Sequence, residues 1–309
     1  LKNVSGLDST ISARDVGFKI APKINAAGRL GSAYPALELL TTDDPERAGT
    51  LADKLEELNK TRYLGQMKLL ETANAALDVL EGGPDAPERT VVLAGEGWPR
   101  GLLGLVASRV AEHSRKPTIL FSLEGDFATG SGRSVAGFNL FRALEETRGL
   151  CVSMGGHSEA AGLKVRRDML PPFAKAFDEA AAKQPRAQTE DKITIDVEVD
   201  FGDLPLLFES FQDLEPFGQG NPAPVAVVRN VRVVDAVPTR TNGDKHLIFR
   251  LFEGGRSLSM VGFDMVKKLY DVGPVMDFAF VFDNNRFNQR LPGWRLLDFK
   301  SPGESAGPG

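Results

Sequence analysis

Residues 130–162 read GSGRSVAGFNLFRALEETRGLCVSMGGHSEAAG, and this stretch is the most informative for both the fold and the chemistry of the chain. It places two glycine-rich segments, one with Arg133 and one with His157, at the ends of a helix predicted near 138–147. Glycine-rich loops let backbone N–H groups approach an anion, and a guanidinium can grip phosphate through two parallel hydrogen bonds. The stretch therefore predicts a phosphate-binding site made of Gly130, Ser131, Gly132, Arg133, Ser134, Gly155, Gly156 and His157.

The segments around this stretch alternate between strand and helix patterns. TVVLAG and PTILFSL are continuous apolar runs typical of buried strands, and the helical pattern GLLGLVASRVAEHS separates them. FATGSGRS predicts a third strand that runs into the first glycine-rich loop, AGLKV predicts a short further strand, and residues 170–183 predict a last helix. This order predicts an α/β domain over residues 86–185.

A long helix is predicted before this domain. Asp44 suits the N-cap, Pro45 suits the first helical position, leucines follow at helical spacing, and Gly82-Gly83-Pro84 ends the pattern. A helix over residues 45–82 is long enough to connect two lobes, although its apolar stripe also fits a dimer seam. Residues 11–31 fit neither period well and predict a buried loop system with a short helix.

The remainder of the chain predicts β structure. After a polar linker, ITIDVEVD alternates strictly, and five later segments, VAVVRNVRVVDAV, HLIFRLF, RSLSMVGF, MDFAFVFD and WRLLDF, are spaced by turn residues. These strands, with a helical interruption near 264–270, suit a small closed barrel of the OB type over residues 190–300. Residues 301–309, SPGESAGPG, predict a disordered tail.

Composition and cysteine content narrow the class of protein. The chain is 42% hydrophobic and 26% charged, as expected of a globular protein, and its one cysteine, Cys151, cannot form an internal disulfide. The sequence opens without a secretion signal and contains no stretch of about 20 apolar residues. We therefore predict a soluble, cytoplasmic protein without membrane contact.

The distribution of charge favours a nucleic-acid partner more than its total does. The net charge is −5, but residues 1–37, 98–168 and 225–300 carry +3, +3 and +4, while residues 38–90 and 170–224 carry −6 and −7. This pattern predicts basic functional segments separated by acidic connecting segments. The alternative is that these helices and linkers are acidic only because they are solvated.

The motif NAAGR places Asn25 and Arg29 four residues apart with small residues between them, so that both could reach one ligand. Alternatively, Asn25 caps a turn and Arg29 pairs with a carboxylate such as Asp15. Arg133 could likewise be an exposed arginine on a tight hairpin, and His157 could be structural. Paired carboxylates fall in helix caps, helix faces or an alternating strand, and no His–Cys cluster exists, so the sequence predicts no metal site.

Six segments in one order, APKINAAGRLG, LEELNKTR, GLLGLVASRV, GSGRSVAGFNL, MGGHSEAAGL and LEPFGQGNP, resemble the RecJ family of single-strand-specific 5′-to-3′ exodeoxyribonucleases. This family lies in the DHH phosphoesterase superfamily, and the resemblance covers residues 11–299. GSGRS and GGH are shared with the wider DHHA1 group, which includes oligoribonucleotide phosphatases. The resemblance implies an α/β plus β fold with the end of a DHH domain over 1–44, the connector helix, a DHHA1 α/β domain and the OB barrel.

The resemblance also implies a function. Family members degrade single-stranded DNA to mononucleotides in DNA repair and recombination, with Mn²⁺ or Mg²⁺ held by a DHH domain whose motif this chain lacks. The chain alone is therefore expected to be inactive but to bind single-stranded DNA. Arg133 and the Gly155-Gly156-His157 segment would hold the terminal nucleotide and its phosphate across a cleft from the metals, and Arg29 would line that cleft.

The OB barrel would bind the rest of the strand through basic and aromatic side chains, for which the candidates are Lys245, Phe249, Arg250 and Arg286. Family resemblance further suggests single-strand binding protein and a helicase as partners. Two other functions stay open, namely a non-catalytic nucleic-acid or protein-interaction module and an oligoribonucleotide phosphoesterase.

Two positions depart from the family pattern. Trp98-Pro99-Arg100-Gly101 lacks a histidine common between the tryptophan and the glycine, and Lys23 stands where arginine is common.

Overall fold

A computed structural model describes residues 1–7, 11–83, 86–185, 192–239, 245–282 and 293–303, apart from the side chains of Glu209 and Gln212. By its contacts the chain divides into two units. Unit 1 comprises Leu1–Ile11 and Asp15–Asp191, and unit 2 comprises Ser12–Arg14 and Lys192–Gly309.

The segment before the long helix is helical, so the loop system predicted over 11–31 is wrong. A 3₁₀ turn at Asn3–Ser5 is followed by α1 (Ala13–Asp15), a π-helix at Val16–Ile20, α2 (Ala21–Leu30) and α3 (Tyr34–Thr41). The segment is not buried as a whole either, since Phe18 is 77% exposed. Small residues explain α2: Ala26 and Ala27 are buried, which lets the helix lie close to its neighbours.

The predicted long helix is present as α4 (Pro45–Glu81), which has 37 residues. The Asp44 side chain caps it by accepting hydrogen bonds from the backbone N–H groups of Glu46 and Arg47, at 2.9 and 3.3 Å. Lys23 of α2 is buried and forms an ion pair with Glu56 of α4. A buried lysine is tolerated only with such a partner, so this pair fixes α2 against α4.

The α/β domain is built on a five-stranded sheet in the order β1-β2-β3-β5-β4. Its strands are β1 (Val91–Glu96), β2 (Thr118–Glu124), β3 (Phe127–Arg133), β4 (Cys151–Gly156) and β5 (Ala160–Arg166). Only β1 and β2 are parallel, and the remaining pairs are antiparallel. The helices of the domain are α5 (Arg100–Ser114), α6 (Leu140–Glu146) and α7 (Leu170–Ala182).

Two apolar cores lie on opposite faces of this sheet. On one face, Phe121 packs edge-to-face on Phe173 of α7, with ring centroids 5.7 Å apart. On the other face, α5 and the C-terminal half of α4 pack on β1 and β2 through residues such as Leu77 and Val106. The sheet is therefore the middle layer of the domain, and α5 covers the face that carries the Arg133 side chain.

The two glycine-rich segments belong to strands, which corrects their prediction as loops at the ends of a helix. Gly130, Ser131, Gly132 and Arg133 are in β3, and Gly155 and Gly156 are in β4. Packing gives the reason, because a Cβ on Gly130 would stand 2.5 Å from the Phe121 ring. Because glycine has no side chain, Gly130 leaves room in β3 for the Phe121 ring on this face of the sheet.

Unit 2 contains a closed barrel of five strands. They are β7 (Val225–Pro238), β8 (Leu247–Glu253), β9 (Arg256–Gly262), β10 (Val275–Phe282) and β11 (Trp294–Lys300). Neighbours pair in the order β7-β8-β9-β11-β10, and β10 pairs with β7 to close the ring; β11 and β9 are parallel. The five predicted strands and the OB-type barrel are confirmed, and the predicted helical interruption is a 3₁₀ helix at Val266–Asp271.

The region before the barrel differs from the prediction. The strict alternation over 193–200 predicted a full strand, but only β6 (Val197–Glu198) pairs with the sheet. Its apolar residues are not buried, since Ile193 and Ile195 are 36% and 37% exposed. The sequence prediction also missed α8 (Leu204–Asp213), whose Phe208 packs on Phe282 with ring centroids 4.5 Å apart.

No helix within the described ranges is long and apolar enough to cross a membrane. The predicted tail over 301–309 lies outside the described residues except for Ser301–Gly303.

Candidate functional site

Arg133 ends strand β3, with its partly buried side chain on the face that α5 covers. Its Nη1 donates to the Gly132 carbonyl at 2.7 Å and to Ser131 Oγ at 3.2 Å. Gly104 of α5 makes room for the guanidinium, since a Cβ there would overlap Arg133 Nη2. The structure thus holds a guanidinium between a strand end and a helix, supported by neutral acceptors.

Arg29 reaches the same helix from α2. Its Nη1 donates to the Gly101 carbonyl at 3.3 Å, and a Cβ on Gly101 would overlap the Arg29 backbone oxygen. Gly101 and Gly104 are three residues apart and lie on one side of α5. The first turn of α5 therefore brings Arg29 and Arg133 together, although they are 104 positions apart in the sequence. Asn25, one turn before Arg29 on α2, is exposed.

A third arginine, Arg62 of α4, is under the electrostatic influence of Arg29, and the sequence analysis did not select it. Its Nε and Nη2 donate to Asn59 Oδ1 at 3.2 and 3.0 Å, and its Nη1 donates to Gln66 Oε1 at 2.8 Å. One available signal was the spacing of Asn59, Arg62 and Gln66, which puts an amide on the turn before the arginine and another on the turn after it. Arg29, Arg62 and Arg133 are called the arginine cluster below.

The arginine cluster carries positive charge that the described residues do not neutralise. Burial, followed by the positive charge of Arg29, lowers the pKa of the Arg133 guanidinium, and the same two causes act in the same order on Arg62. Among the ion pairs between described residues, none involves a member of the cluster. Like charges that are partly desolvated and close together favour binding of an anion.

His157 lies in the turn between β4 and β5, beside the end of β3. Its backbone N–H donates to the Ala160 carbonyl at 2.9 Å, and its Nδ1 accepts from the Glu159 N–H at 3.3 Å. Ser134 N–H donates to the Glu159 carbonyl at 2.9 Å, which fixes this turn to the end of β3. The imidazole is exposed, and the strand register brings the two sequence motifs to one edge of the sheet.

A strip of small residues crosses three strands on the Arg133 face. Ser131 is in register with Gly162, and Gly162 is in register with Gly155; both glycines are exposed. Residues in register across antiparallel strands share a face of the sheet. Because these residues are small, the protein backbone is accessible next to Arg133. A bulky ligand can therefore lie against the sheet at this position.

A cavity of about 500 Å³ lies near this edge but does not include the cluster. It is lined by Ser134–Asn139, Ser158 and Glu159, so its ionisable side chain is a carboxylate. A carboxylate repels phosphate. The electrostatics of the arginine cluster therefore favour an anion, whereas those of the cavity do not.

The described residues do not fit a catalytic metal. They contain no group of three His, Cys, Asp or Glu side chains that could hold an ion. The arginine cluster would itself repel a cation.

The four strand-binding candidates of the barrel fall in different places. Phe249 is fully buried and packs on Phe278 and Phe299, which corrects its assignment as a stacking residue. Lys245 is exposed just before β8, and Arg250 is exposed with its Nη1 3.6 Å from Asp235 Oδ2. Arg286 lies outside the described residues.

The outer face of β8 presents a different aromatic residue, Phe252, which is 38% exposed. It lies in register with Arg232 of β7, which is exposed, and it shares its face with Arg250 two positions earlier. The signal was present in HLIFRLF, since Leu247, Phe249 and Leu251 form an entirely apolar inner set and leave Phe252 outside. Arg232, Arg250 and Phe252 are called the Phe252 face below.

Comparison with protein families identifies both domains. Residues 88–183 match the DHHA1 domain, and residues 195–291 match the RecJ OB domain.

Curated relatives share the greater part of the chain. The single-stranded-DNA-specific exonuclease RecJ of Bacillus subtilis is 33% identical over 305 residues, which are 92% of this chain and 38% of that protein. RecJ of Thermus thermophilus is 34% identical over 91% of this chain and 39% of its own length. The chain thus spans about two fifths of the length of these two relatives.

Solved structures agree with this result. The crystal structure of RecJ in complex with Mg²⁺ from Thermus thermophilus covers 98% of this chain and 46% of its own, with a TM-score of 0.81 and 30% sequence identity. The Mn²⁺ complex of the same protein has a TM-score of 0.80. With a DHHA1 domain, a RecJ OB barrel and these relatives, the chain belongs to the RecJ family.

Proposed function

We propose that this chain is the part of a RecJ-like exonuclease that binds single-stranded DNA at its 5′ end. Arg29 and Arg133 hold the terminal phosphate, and His157 lies at the edge of the same site. The other proposed contacts are Asn25 on α2, Ser131 on β3, and Gly155 and Gly156 at the end of β4. Gly130 and Gly132 are buried on the opposite face of the sheet and Ser134 lines the cavity, so these three predicted contacts are not part of the proposal.

The arginine cluster is the observation that carries this proposal. Arg29 and Arg133 come from different elements, converge on the first turn of α5 and keep guanidinium N–H groups beyond those used on Gly101, Ser131 and Gly132. A terminal phosphate carries more charge than an internal phosphodiester, so two guanidinium groups favour the end of a strand. The strip at Ser131, Gly162 and Gly155 would let the sugar–phosphate backbone lie against the sheet.

In the proposed reaction, cleavage would require divalent ions, and the described residues contain no group of three His, Cys, Asp or Glu side chains that could hold one. The related Thermus thermophilus structures are complexes with Mg²⁺ and Mn²⁺, which supports use of a divalent ion by the family. In this proposal a DHH domain outside these 309 residues holds the ions, and the chain alone orients the strand without hydrolysing it. The whole protein would release mononucleotides from the 5′ end in DNA repair and recombination, with single-strand binding protein and a helicase as partners.

The Phe252 face is a separate proposed contact with the strand. An exposed aromatic ring flanked by two arginines stacks a base while the guanidinium groups contact phosphates, without reading sequence. This surface suits long single strands, whereas an enzyme for short oligoribonucleotides has no need for it.

Fluorescence anisotropy of a 3′-labelled single strand, alone and as a blunt duplex, tests the proposal across a salt titration. We expect the single strand to bind more tightly than the duplex, with an affinity that falls as salt rises. Arg29→Ala should weaken binding, while Arg109→Ala, which removes an exposed arginine paired with Glu112 at 3.5 Å, should not. Affinity that ignores salt, or equal binding of the duplex, would contradict a phosphate-binding groove and favour a protein-interaction module.

Incubation of the chain with a 5′-phosphorylated single strand and Mn²⁺ tests where the metals bind. We expect no mononucleotide release. Robust release would show that the metal site lies within these residues.

A further inference from the structure

One wall of the cavity beside the end of β3 is a turn that its own hydrogen bonds hold in place. Ser134 Oγ donates to the Phe138 carbonyl at 2.7 Å, and the Phe138 N–H donates to the Val135 carbonyl at 3.2 Å. Gly137 lies within this turn at a φ of 79°, in the left-handed region that favours glycine. The segment between β3 and α6 therefore gives the cavity a defined shape before any ligand binds.

The turn between β4 and β5 forms the facing wall. The Glu159 carbonyl accepts from the Ser134 N–H at 2.9 Å, and the Ser158 carbonyl accepts from the Leu140 N–H at 2.9 Å. These two bonds tie the turn to the end of β3 and to the start of α6. Ser158 and Glu159 line the cavity, and both residues are exposed.

The walls combine apolar surface with a carboxylate. Val135 and Phe138 pack on a core of the α/β domain and supply the apolar surface. Among the ion pairs between described residues, none involves Glu159. Asn139 Oδ1 accepts from the Arg142 N–H at 3.0 Å, which leaves the Asn139 amide nitrogen as a donor. Apolar surface with hydrogen-bonding groups at its rim suits a nucleobase, which has apolar faces and a polar edge.

The size and the position of the cavity agree with this chemistry. Its volume of about 500 Å³ lies within the range of about 300–1,000 Å³ that is usual for clefts that bind small organic molecules. Ser134, which lines the cavity, directly follows Arg133 in the sequence. The two neighbouring sites therefore match the two parts of one nucleotide, an anionic phosphate at Arg133 and an uncharged base beside Glu159.

We propose that the cavity binds the base of the 5′-terminal nucleotide and that Glu159 makes it selective for guanine. A carboxylate accepts two parallel hydrogen bonds from guanine N1–H and N2–H₂, whereas the N3–H of thymine lies between two carbonyl oxygens that repel it. This inference rests on the proposed function, because it takes the terminal phosphate to lie at Arg133. Strands of every sequence would still bind, since phosphate contacts supply much of the affinity.

The test compares 3′-labelled, 5′-phosphorylated single strands that differ only in the terminal base, by fluorescence anisotropy. The bases are guanine, adenine, cytosine, thymine and hypoxanthine, which is guanine without its N2 amino group. For the natural chain, we expect guanine to bind about tenfold more tightly than thymine, as for one good bidentate contact, with hypoxanthine between them. Guanine at the second position, behind a terminal thymine, should give no such gain.

Matched variants assign the preference to one side chain. Glu159→Gln keeps the size of the side chain but cannot accept two hydrogen bonds, so the preference for guanine should disappear while the preference for a 5′ phosphate over a 5′ hydroxyl remains. Glu179→Gln removes an exposed carboxylate from α7 and should leave both preferences unchanged. Each preference is a ratio of affinities, so a general change in charge cancels, and thermal unfolding checks that each variant is folded.

Two results would overturn the inference: equal binding of the strands whatever their terminal base, or a preference for guanine that persists in Glu159→Gln. In either case a preference for the 5′ phosphate would leave the proposed function intact. Failure of the proposed function would overturn both proposals and has a different signature, because strands with a 5′ phosphate and with a 5′ hydroxyl would then bind alike.

Discussion

Arg133 lies directly over Gly104, so that a Cβ on Gly104 would overlap Arg133 Nη2 and stand 3.0 Å from Ser131 Oγ. Because the overlap involves the end of a flexible side chain, Gly104→Ala should displace the guanidinium without unfolding the protein. Alanine also favours the helix by about 0.5–1 kcal/mol. We expect a free energy of unfolding within about 1 kcal/mol of the natural value, with loss of the preference for 5′-phosphorylated strands.

Urea denaturation and strand binding measure the two effects of Gly104→Ala separately. Gly49→Ala is the matched control, since Gly49 lies in α4 with no atom within 4 Å of an added Cβ. If Gly104→Ala binds both strand ends like the natural chain, the position of Arg133 does not determine recognition.

Gly101→Ala should behave in the opposite way. Its Cβ would overlap the backbone oxygen of Arg29, which cannot rotate aside, so α2 and α5 must separate. We expect the free energy of unfolding to fall by about 1–3 kcal/mol, as in other overpacked positions. Natural stability in this variant would mean that the helices are not in contact there.

Substitution of Phe249 and of Phe252 should affect stability and single-strand binding separately. Phe249→Ala removes a fully buried ring and should cost about 3–5 kcal/mol of stability. Phe252→Ala removes an exposed ring, so it should change stability little and weaken single-strand affinity by about 1–3 kcal/mol. Thermal unfolding and anisotropy check both, and an unchanged affinity in Phe252→Ala would remove the stacking role.

Cys151 provides a pH-dependent prediction. Burial is the largest influence on its thiol and raises the pKa, against smaller opposite effects of Thr147 and Arg148. A thiol whose folded pKa is above its unfolded pKa stabilises the protein fully below the unfolded value, and this contribution is lost as the pH rises through the folded value. We expect slow alkylation by iodoacetamide at mildly alkaline pH, with the rate of an unfolded cysteine only after denaturation. Fast alkylation of the folded chain would contradict this.

Local chemistry explains which parts of the fold could be predicted. Asp44 and Pro45 mark the start of α4 because capping depends on neighbouring residues, and the five barrel strands follow from turns and apolar runs. The alternation over 193–200 failed because pairing depends on a partner strand, which β7 offers only at Val197–Glu198. Gly130 was predicted to lie in a loop because the reason for a glycine at this position is its close approach to the Phe121 ring. This is a tertiary contact, which the local sequence does not show.

The same distinction applies to the site. Arg29 and Arg133 were predicted because glycine and small residues surround each in the sequence. Arg62 was not, since its surroundings are an ordinary polar helix face and its neighbour Arg29 approaches through packing around α5. Phe249 was selected by residue type, although the alternation of β8 turns it inward and exposes Phe252 instead.

The coupling free energy between Arg133 and the 5′ phosphate tests the central claim most directly. It follows from four dissociation constants, those of the natural chain and of Arg133→Ala for a 5′-phosphorylated and a 5′-hydroxyl single strand. We predict a coupling of about 1.5–3 kcal/mol, as for hydrogen bonds to charged groups, and none when Arg109→Ala replaces Arg133→Ala. A coupling near zero at Arg133, with both strands weakened equally or not at all, would contradict the assignment of the arginine cluster to the strand end.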